Sequence, residues 1–312
     1  MKIKALITAS SMAIYLLAQP ALTGPKEDAA AAYLRGDYTI ALGIWQLLAE
    51  QGDAKAQAYL GVMFKDGQGV PQDFAEAVKW YRRAAEQGNA YAQTDLGGMY
   101  LAGQGVPQDY PEATRWFRLA AEQGIAFAQD SLGSMYTNGQ GVPQDLAEAV
   151  KWYRRAAEQG LSSAQTNLGT TYDRGDGVPQ DYAEAAKWFR LAAQQGDAFA
   201  QYKLGMQYIL GEGVQQDDAQ ALKWFQLAAD KGEGIAQIYL GIMFFNGQGV
   251  QQDFIQAHLW FNLAAAGYRA ANTSNRDDAI NRRDQAAKQM TADQIAEAQR
   301  LAREWLAVHP KQ

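Results

Sequence analysis

The chain of 312 residues contains no cysteine and only two histidines. The lack of cysteine excludes disulfides, thiolate metal sites, cysteine nucleophiles and an acylated cysteine at a lipoprotein cleavage site. His258 and His309 lie far apart in the sequence, so they indicate no histidine cluster. An H-E-x-x-H metal motif and a G-x-S-x-G nucleophile elbow are also missing. We therefore expect no catalytic residues, no metal site and no cofactor.

The sequence also lacks an excess of basic residues and the residue patterns of β-strands. The formal net charge is −6, and a surface of that sign repels nucleic acid and anionic membranes. No local basic cluster offsets this charge, so we predict no nucleic-acid partner. Runs of β-branched residues are absent, whereas alanine, leucine, glutamine and glutamate are abundant. This composition favours an all-α protein.

The N-terminus has the pattern of an export signal. Lys2 and Lys4 precede an apolar segment at 5–18, ALITASSMAIYLLA, which is too short to span a bilayer comfortably. We predict a signal peptide at 1–23, no membrane span after its removal, and a location in the periplasm or outside the cell. The cleavage point near Ala21 to Thr23 stays open, and a buried helix is the alternative interpretation of this segment.

The sequence does contain a repeat of 36 residues. GQGVPQD occurs three times, at 67–73, 103–109 and 139–145, and close variants follow at 175–181, 211–217 and 247–253. A fixed period of this length is typical of a stacked array with one continuous core. After a degenerate unit at 24–52, we define six full units as 53–88, 89–124, 125–160, 161–196, 197–232 and 233–267.

Each unit is predicted to form two helices joined by a tight turn. In the first unit, helix A runs from about Ala54 to Asp66, and Gly67 and Gly69 supply the positive φ angles of its exit. Asp73 then begins helix B as its N-cap, and the residue three positions later completes a capping box. The pairs are Asp73/Glu76, Asp109/Glu112, Asp145/Glu148, Asp181/Glu184, Asp217/Gln220 and Asp253/Gln256.

The glycine-rich turn has two other interpretations. A phosphate cradle would need a third glycine or a following Lys-Ser or Lys-Thr pair, and GQGVPQ has neither. Calcium binding by Asp66 and Asp73 conflicts with the later units, because the position of Asp66 is not kept as an oxygen ligand. It holds Ala102, Asn138, Arg174, Leu210 and Asn246.

One tryptophan and one glycine recur at fixed positions of the unit. Burying about 200 Å² of an indole gains roughly 5 kcal/mol, which favours core packing over a ligand-stacking role. The tryptophans are Trp80, Trp116, Trp152, Trp188, Trp224 and Trp260, and the glycines are Gly61, Gly97, Gly133, Gly169, Gly205 and Gly241.

The unit AxAQxxLGxxYxxGxGVxxDxxxAxxWxxxAAxxG resembles the Sel-one-like repeat family, a relative of the tetratricopeptide repeats. The resemblance covers 53–267 and implies an all-α solenoid of antiparallel helix hairpins, wound into a right-handed superhelix. It also implies a non-enzymatic bacterial adaptor that binds a protein or peptide partner.

Two other functions remain open. Some bacterial relatives with a disulfide in each repeat have been described as β-lactamases or penicillin binders, so an envelope hydrolase is the alternative. The lack of cysteine separates this chain from that branch. A structural role in a host-directed secretion pathway is the third possibility.

Helix A carries a variable face on the side away from its recurring residues. At 100° per residue, the positions matching Lys55, Tyr59, Val62 and Asp66 lie together, and in helical solenoids of this type that row lines the concave surface. We predict that a partner binds there, with Tyr91, Phe127 and Phe199 as exposed aromatics. Neutral variation and packing between A helices are the alternatives. The candidate residues are Tyr59, Tyr91, Asp95, Phe127, Ser131, Asn167, Arg174, Phe199, Lys203, Ile235 and Tyr239.

The repeat pattern ends after Gly267. Segment 268–289 is polar, and its i, i+4 charge spacing predicts a helix. Thr291 and Gln294 form a capping box before an apolar stripe that ends at Trp305. Because a solenoid needs its last core face covered, we predict that 268–312 is a helical cap. A partner-binding amphipathic helix is the alternative.

Overall fold

The computed structural model describes residues 24–268 and 273–309, so the predicted signal peptide at 1–23 lies outside the described residues. Within these ranges the secondary structure consists of helices joined by turns. The helices are α1 (Pro25–Leu34), α2 (Tyr38–Glu50), α3 (Ala54–Asp66), α4 (Phe74–Glu86), α5 (Ala90–Ala102), α6 (Tyr110–Glu122), α7 (Ala126–Asn138), α8 (Leu146–Glu158), α9 (Ser162–Arg174), α10 (Tyr182–Gln194), α11 (Ala198–Leu210), α12 (Asp218–Asp230), α13 (Gly234–Asn246), α14 (Phe254–Gly267), α15 (Thr273–Ala287) and α16 (Ala292–Val308).

The chain forms two compact units, Met1–Gln159 and Gly160–Gln312. In the first unit, α1 to α8 pack in chain order, each helix against the one before and the one after. In the second unit, α9 to α15 do the same, and α16 packs on α14. The predicted all-α solenoid of helix hairpins is confirmed, whereas the hand of the superhelix stays a prediction.

The aspartates that start each B helix are N-caps, as predicted. The Asp73 carboxylate accepts a hydrogen bond from the backbone N–H of Glu76 at 2.9 Å, and each later B helix repeats this bond. The capping-box prediction was wrong for these helices. A capping box also needs the backbone N–H of the N-cap residue to donate to the side chain three positions later, and that N–H is already used. The backbone N–H of Asp73 donates to the Phe64 carbonyl at the end of α3, and the Glu76 side chain pairs with Lys79 instead.

The glycine-rich motif is a turn, as predicted. Gly67 ends α3 in the left-handed conformation with φ of 70°, and Gly69 follows with φ of 74°. The second glycine also permits contact between repeats at Gly105, Gly141, Gly213 and Gly249, since a Cβ on Gly105, for example, would overlap the Phe74 carbonyl oxygen. The motif therefore ends one helix, starts the next and fits against the preceding repeat.

The core combines the recurring tryptophans with the aromatic residue that follows each of them. Five of the six tryptophans are at most 9% exposed, as predicted, and Trp224 is half-buried. The following ring is buried more deeply and faces the recurring glycine of helix A. A Cβ on Gly61 would lie 2.5 Å from the Tyr81 ring. The same pairing joins Gly97 to Phe117, Gly133 to Tyr153, Gly169 to Phe189, Gly205 to Phe225 and Gly241 to Phe261.

A buried glutamine of helix A links three helices. Gln93 of α5 donates to the Ala85 carbonyl at the end of α4, at 3.0 Å. Its side-chain oxygen accepts a hydrogen bond from Gln123, which follows α6, at 2.7 Å. Gln129 and Gln159 repeat the arrangement in the next repeat. These bonds satisfy polar groups inside the solenoid and fix the register of neighbouring repeats.

The C-terminal helices cover the last repeat. Ala279 and Ala286 of α15 are buried against the end of the second unit. Trp305 of α16 meets Trp260 of α14 edge to face, with ring centroids 6.3 Å apart. The predicted capping box of Thr291 and Gln294 is present. Among the described residues, no helix has the length and apolar character that a bilayer crossing requires.

Candidate peptide-binding face

In each of the two compact units, the variable positions of successive A helices form one row. We define the first A row by the variable faces of α3, α5 and α7, and the second A row by those of α9, α11 and α13. Most side chains of the two A rows are neither fully buried nor fully exposed. This partial burial arises because each A helix packs against both neighbouring B helices, which leaves a narrow strip open to solvent.

The first A row is less exposed than the sequence indicates. Tyr59 is only 7% exposed because its ring stacks on Trp45 of α2, with centroids 4.3 Å apart. Its assignment to the open side of the helix is therefore wrong. Tyr91, Phe127 and Ser131 are half-buried, so the prediction that Tyr91 and Phe127 are exposed aromatics is also wrong. Part of each ring still reaches the surface.

Asp95 of the first A row takes part in a buried ion pair between neighbouring repeats. Its carboxylate lies 2.9 Å from the Lys65 ammonium of α3, and the two side chains are 9% and 8% exposed. Burial is the largest single influence and lowers the pKa of Lys65, but the charge and hydrogen bond of Asp95, together with the Asp66 charge, outweigh it, so the pKa is raised. The role of Asp95 is thus to join α3 and α5, and its charge is already neutralised.

Asp66 lies next to this pair without a comparable partner. It is half-buried at the end of α3, and no hydrogen bond or ion pair to its carboxylate is found in the described part of the chain. Burial and the nearby Asp95 carboxylate raise the pKa of Asp66, and Lys65 opposes them only partly. The first A row therefore carries a net negative charge at this point.

The second A row is more apolar and more exposed. Phe199 and Leu210, at the two ends of α11, are 39% and 55% exposed. Met206 lies between them and is half-buried, as is Ile235 on α13. The prediction of an exposed aromatic is confirmed for Phe199. An open apolar strip of this kind is typical of a surface that meets another protein.

An aromatic cluster supports this strip from below. Tyr202 lies 5.9 Å from Phe199 and 6.0 Å from Tyr239 between ring centroids, and Tyr239 stacks on the buried Phe225 at 5.4 Å. Burial and the neighbouring Tyr239 raise the pKa of Tyr202 to about 12, so this hydroxyl stays protonated. No repeat pattern identifies Tyr202, because the matching positions hold Ala58, Thr94, Asp130, Thr166 and Ile238.

Lys203 is held in place by an ion pair in the second unit. Its ammonium lies 2.6 Å from the Asp173 carboxylate of α9, and it also lies 5.8 Å from the centre of the Phe189 ring. This pair repeats the Lys65–Asp95 geometry with the charges exchanged. Of the remaining candidates, Asn167 is half-buried and Arg174 is exposed. Tyr202 links Phe199 of α11 to Tyr239 of α13, and the partner-binding role of Phe199, Lys203, Ile235 and Tyr239 stays a prediction.

The described residues contain no group of three or more histidine, aspartate or glutamate side chains that could hold a metal ion. The two A rows present rings and aliphatic side chains, together with the Lys65–Asp95 and Lys203–Asp173 ion pairs.

Comparison with known proteins agrees with the repeat architecture. The family model described as Sel1 repeat matches residues 54–89, 90–125, 126–161, 162–197, 198–233 and 234–267. A Sel1 repeat protein from Oxalobacter formigenes is 32% identical over 78% of this chain and 97% of that one, with a TM-score of 0.71. A protective antigen of uropathogenic Escherichia coli with an SLR fold is 30% identical over 91% of this chain and 68% of that one, with a TM-score of 0.60. No curated protein matches the sequence. The chain belongs to the Sel1 repeat family.

Proposed function

We propose that this protein is a non-enzymatic adaptor of the bacterial cell envelope that binds a peptide or protein partner along its second A row. Sel1 repeat proteins are generally protein-interaction scaffolds. The observation that carries the proposal is the exposure of Phe199 and Leu210 on α11, where the Phe199 ring packs against the aromatic cluster at Tyr202. Rings that are rigid before binding lose little conformational entropy when a partner covers them.

The partner that fits this surface is an apolar or amphipathic segment. Phe199, Met206 and Ile235 offer carbon surface, whereas Lys203 and Asp173 already neutralise each other. A partner side chain would therefore gain mainly by burying apolar area, at roughly 25 cal/mol per Å². The first A row, with Asp66 and the half-buried Tyr91 and Phe127, is more polar and suits such a segment less well.

The envelope location is proposed from the N-terminal sequence. Two lysines followed by the apolar segment 5–18 are typical of an export signal. Osmotic-shock fractionation of the native cell, with N-terminal sequencing of the recovered chain, tests this part. Recovery of a chain that still begins at Met1 in the cytosolic fraction would contradict it.

Partner binding is tested by crosslinking in living cells. A photoreactive residue at position 199 should capture a discrete partner, because Phe199 lies in the second A row. The matched control is the same residue at position 227, since Leu227 is also 39% exposed but lies on the B helix α12. Capture at both positions to the same extent would show nonspecific contact and contradict the proposal.

Substitution provides a second test. The triple variant F199S/M206S/I235S should lose partner capture at least tenfold while keeping its helical circular dichroism. The control L191S/L227S removes two equally exposed leucines from B helices and should keep capture. If the triple variant is folded and still captures the partner fully, the second A row is not the binding face. A parallel Y91S/F127S variant tests the first A row.

A further inference from the structure

We propose that a cleft in the second unit binds a neutral, hydroxyl-rich ligand of the saccharide class. The cleft has a volume of about 560 Å³, within the range of roughly 300–1,000 Å³ that is typical of small-molecule sites. It opens where α10, α11 and the turn before α12 meet, and it shares no residue with the second A row. Its lining residues are Arg190, Tyr208, Val214, Gln215, Gln216, Asp217 and Gln220.

Gln216 departs from the pattern of every other repeat. At the matching position of the other five repeats, the glutamine side chain donates a hydrogen bond of 2.8 Å to the carbonyl seven residues earlier, in the last turn of helix A. These bonds are made by Gln72, Gln108, Gln144, Gln180 and Gln252. Gln216 makes no such bond to Ile209, and its side chain lines the cleft instead.

The turn that carries Gln216 is also wider than its counterparts. A Cβ placed on Gly211 would lie 3.7 Å from the backbone nitrogen of Gln216. The equivalent separation in the other five repeats is 3.2 to 3.4 Å. The wider turn and the released side chain occur in the same repeat. The missing proline does not explain the release, because the next repeat also has Gln-Gln in place of Pro-Gln and still forms the bond through Gln252.

The cleft offers many unused hydrogen-bonding groups. In the part of the chain that the structure describes, the side-chain amides of Gln215, Gln216 and Gln220 have no hydrogen-bond partner. Each amide carries two N–H donors and one carbonyl acceptor. Three such groups from one turn and the start of α12 can therefore bind a ligand that both donates and accepts.

The charges of the cleft favour a neutral ligand. The Arg190 guanidinium donates to the Tyr208 hydroxyl at 3.3 Å, and the Asp217 carboxylate accepts from the backbone N–H of Gln220. One formal positive and one formal negative charge balance each other. An anion would meet Asp217 and a cation would meet Arg190, whereas a hydroxyl group can donate to one and accept from the other.

The apolar part of the lining is small and suits a sugar ring. Val214 and Tyr208 are the lining residues with an aliphatic or aromatic side chain, and the other five are polar or charged. A peptide would need pockets for alternate apolar side chains, which this lining lacks. The observations therefore favour a saccharide over a peptide.

Titration calorimetry of the full-length protein tests the proposal, with maltotriose and chitotriose as probes. At least one of them should bind saturably, and the variant Q215A/Q216A should lower the affinity at least tenfold. The matched control is Q251A/Q252A, which removes the same dipeptide from the next repeat and should leave the affinity unchanged. If Q215A/Q216A has a lowered Tm, Q220A serves as a second variant, because the Gln220 side chain makes no hydrogen bond that its removal would break.

Several outcomes would overturn the proposal. The absence of saturable heat with both sugars would do so, as would an equal loss in Q251A/Q252A. Sulfate binding that persists in Q215A/Q216A would indicate an anion site at Arg190, and tighter binding of triglycine would indicate a peptide site. A folded F199S/M206S/I235S variant should bind the sugar normally, so the failure of this site and of the proposed adaptor function are distinguishable.

Discussion

Gly61 of α3 packs against the Tyr81 ring of α4 in the first full repeat. A Cβ at position 61 would approach the ring to 2.5 Å, so only glycine leaves room for the ring there. Tyr81 is fully buried there. Since every full repeat pairs the same glycine position with the ring after its tryptophan, this contact sets how closely the two helices of a hairpin approach.

The first prediction follows from this contact. The substitution G61A should destabilise the protein by at least about 2 kcal/mol, because the fully buried ring cannot move away from the added methyl group. G98A is the matched control, since Gly98 lies within α5 and nothing occupies the space around a Cβ there. It should stabilise the helix by about 0.5 to 1 kcal/mol. Thermal unfolding followed by circular dichroism measures both, and equal effects would contradict the prediction.

The fold could be predicted because residues with strong local conformational preferences occur at the helix ends. Gly67 and Gly69 favour positive φ, Pro71 cannot continue a helix, and Asp73 is a strong N-cap. The predicted helix from Ala54 to Asp66 has those same ends in the structure. The repetition of these signals six times made the assignment independent of any one of them.

The candidate site was harder to predict. Periodicity identifies which residues share a helix face, but it does not identify which residues pack against that face. Tyr59 is buried by Trp45, which belongs to a degenerate unit whose register the repeat does not define. Asp95 and Lys203 pair with residues 30 positions earlier, on the preceding A helix. The Gln216 side chain leaves the helix A carbonyl that its counterparts bind, although the next repeat has the same Gln-Gln dipeptide, so the sequence pattern does not predict this release.

The second prediction concerns the ion pair between Lys65 and Asp95. The variant D95N should cost about 3 kcal/mol, because it leaves a buried ammonium without its counter-charge. The exchange K65D/D95K should recover much of that loss, since Asp173 and Lys203 already hold the reversed arrangement at the matching positions. Urea unfolding of K65D, D95K and the exchange K65D/D95K gives the coupling energy. Additive losses would show that the pair does not couple the helices.

The third prediction is a pH dependence at Asp66. Burial and repulsion from Asp95 raise the pKa of this carboxyl in the folded state. The raised pKa means that ionised Asp66 opposes folding, and this penalty is complete above the folded pKa and disappears below the unfolded pKa of about 3.9. D66N should therefore raise the Tm at pH 7 but not at pH 3. D277N, which alters an exposed carboxylate of α15, should change neither.

The fourth prediction concerns the glutamine network of the fifth repeat. Gln201 donates to the Ala193 carbonyl at 3.0 Å, but its buried side-chain oxygen has no partner. The residue that would donate is Lys231, which bonds to the Gly196 carbonyl instead. K231Q should supply the missing donor and stabilise this repeat by about 1 kcal/mol.

The converse substitution makes this prediction specific. Q123K places lysine at the matching position of the second repeat, where it removes the donor to Gln93. That change should destabilise by about 1 to 2 kcal/mol, because a buried carbonyl loses its hydrogen bond. Amide hydrogen exchange reports each effect locally: protection should rise in α11 and α12 for K231Q and fall in α5 and α6 for Q123K. If K231Q leaves exchange unchanged while Q123K accelerates it, the orphaned oxygen of Gln201 is satisfied by solvent.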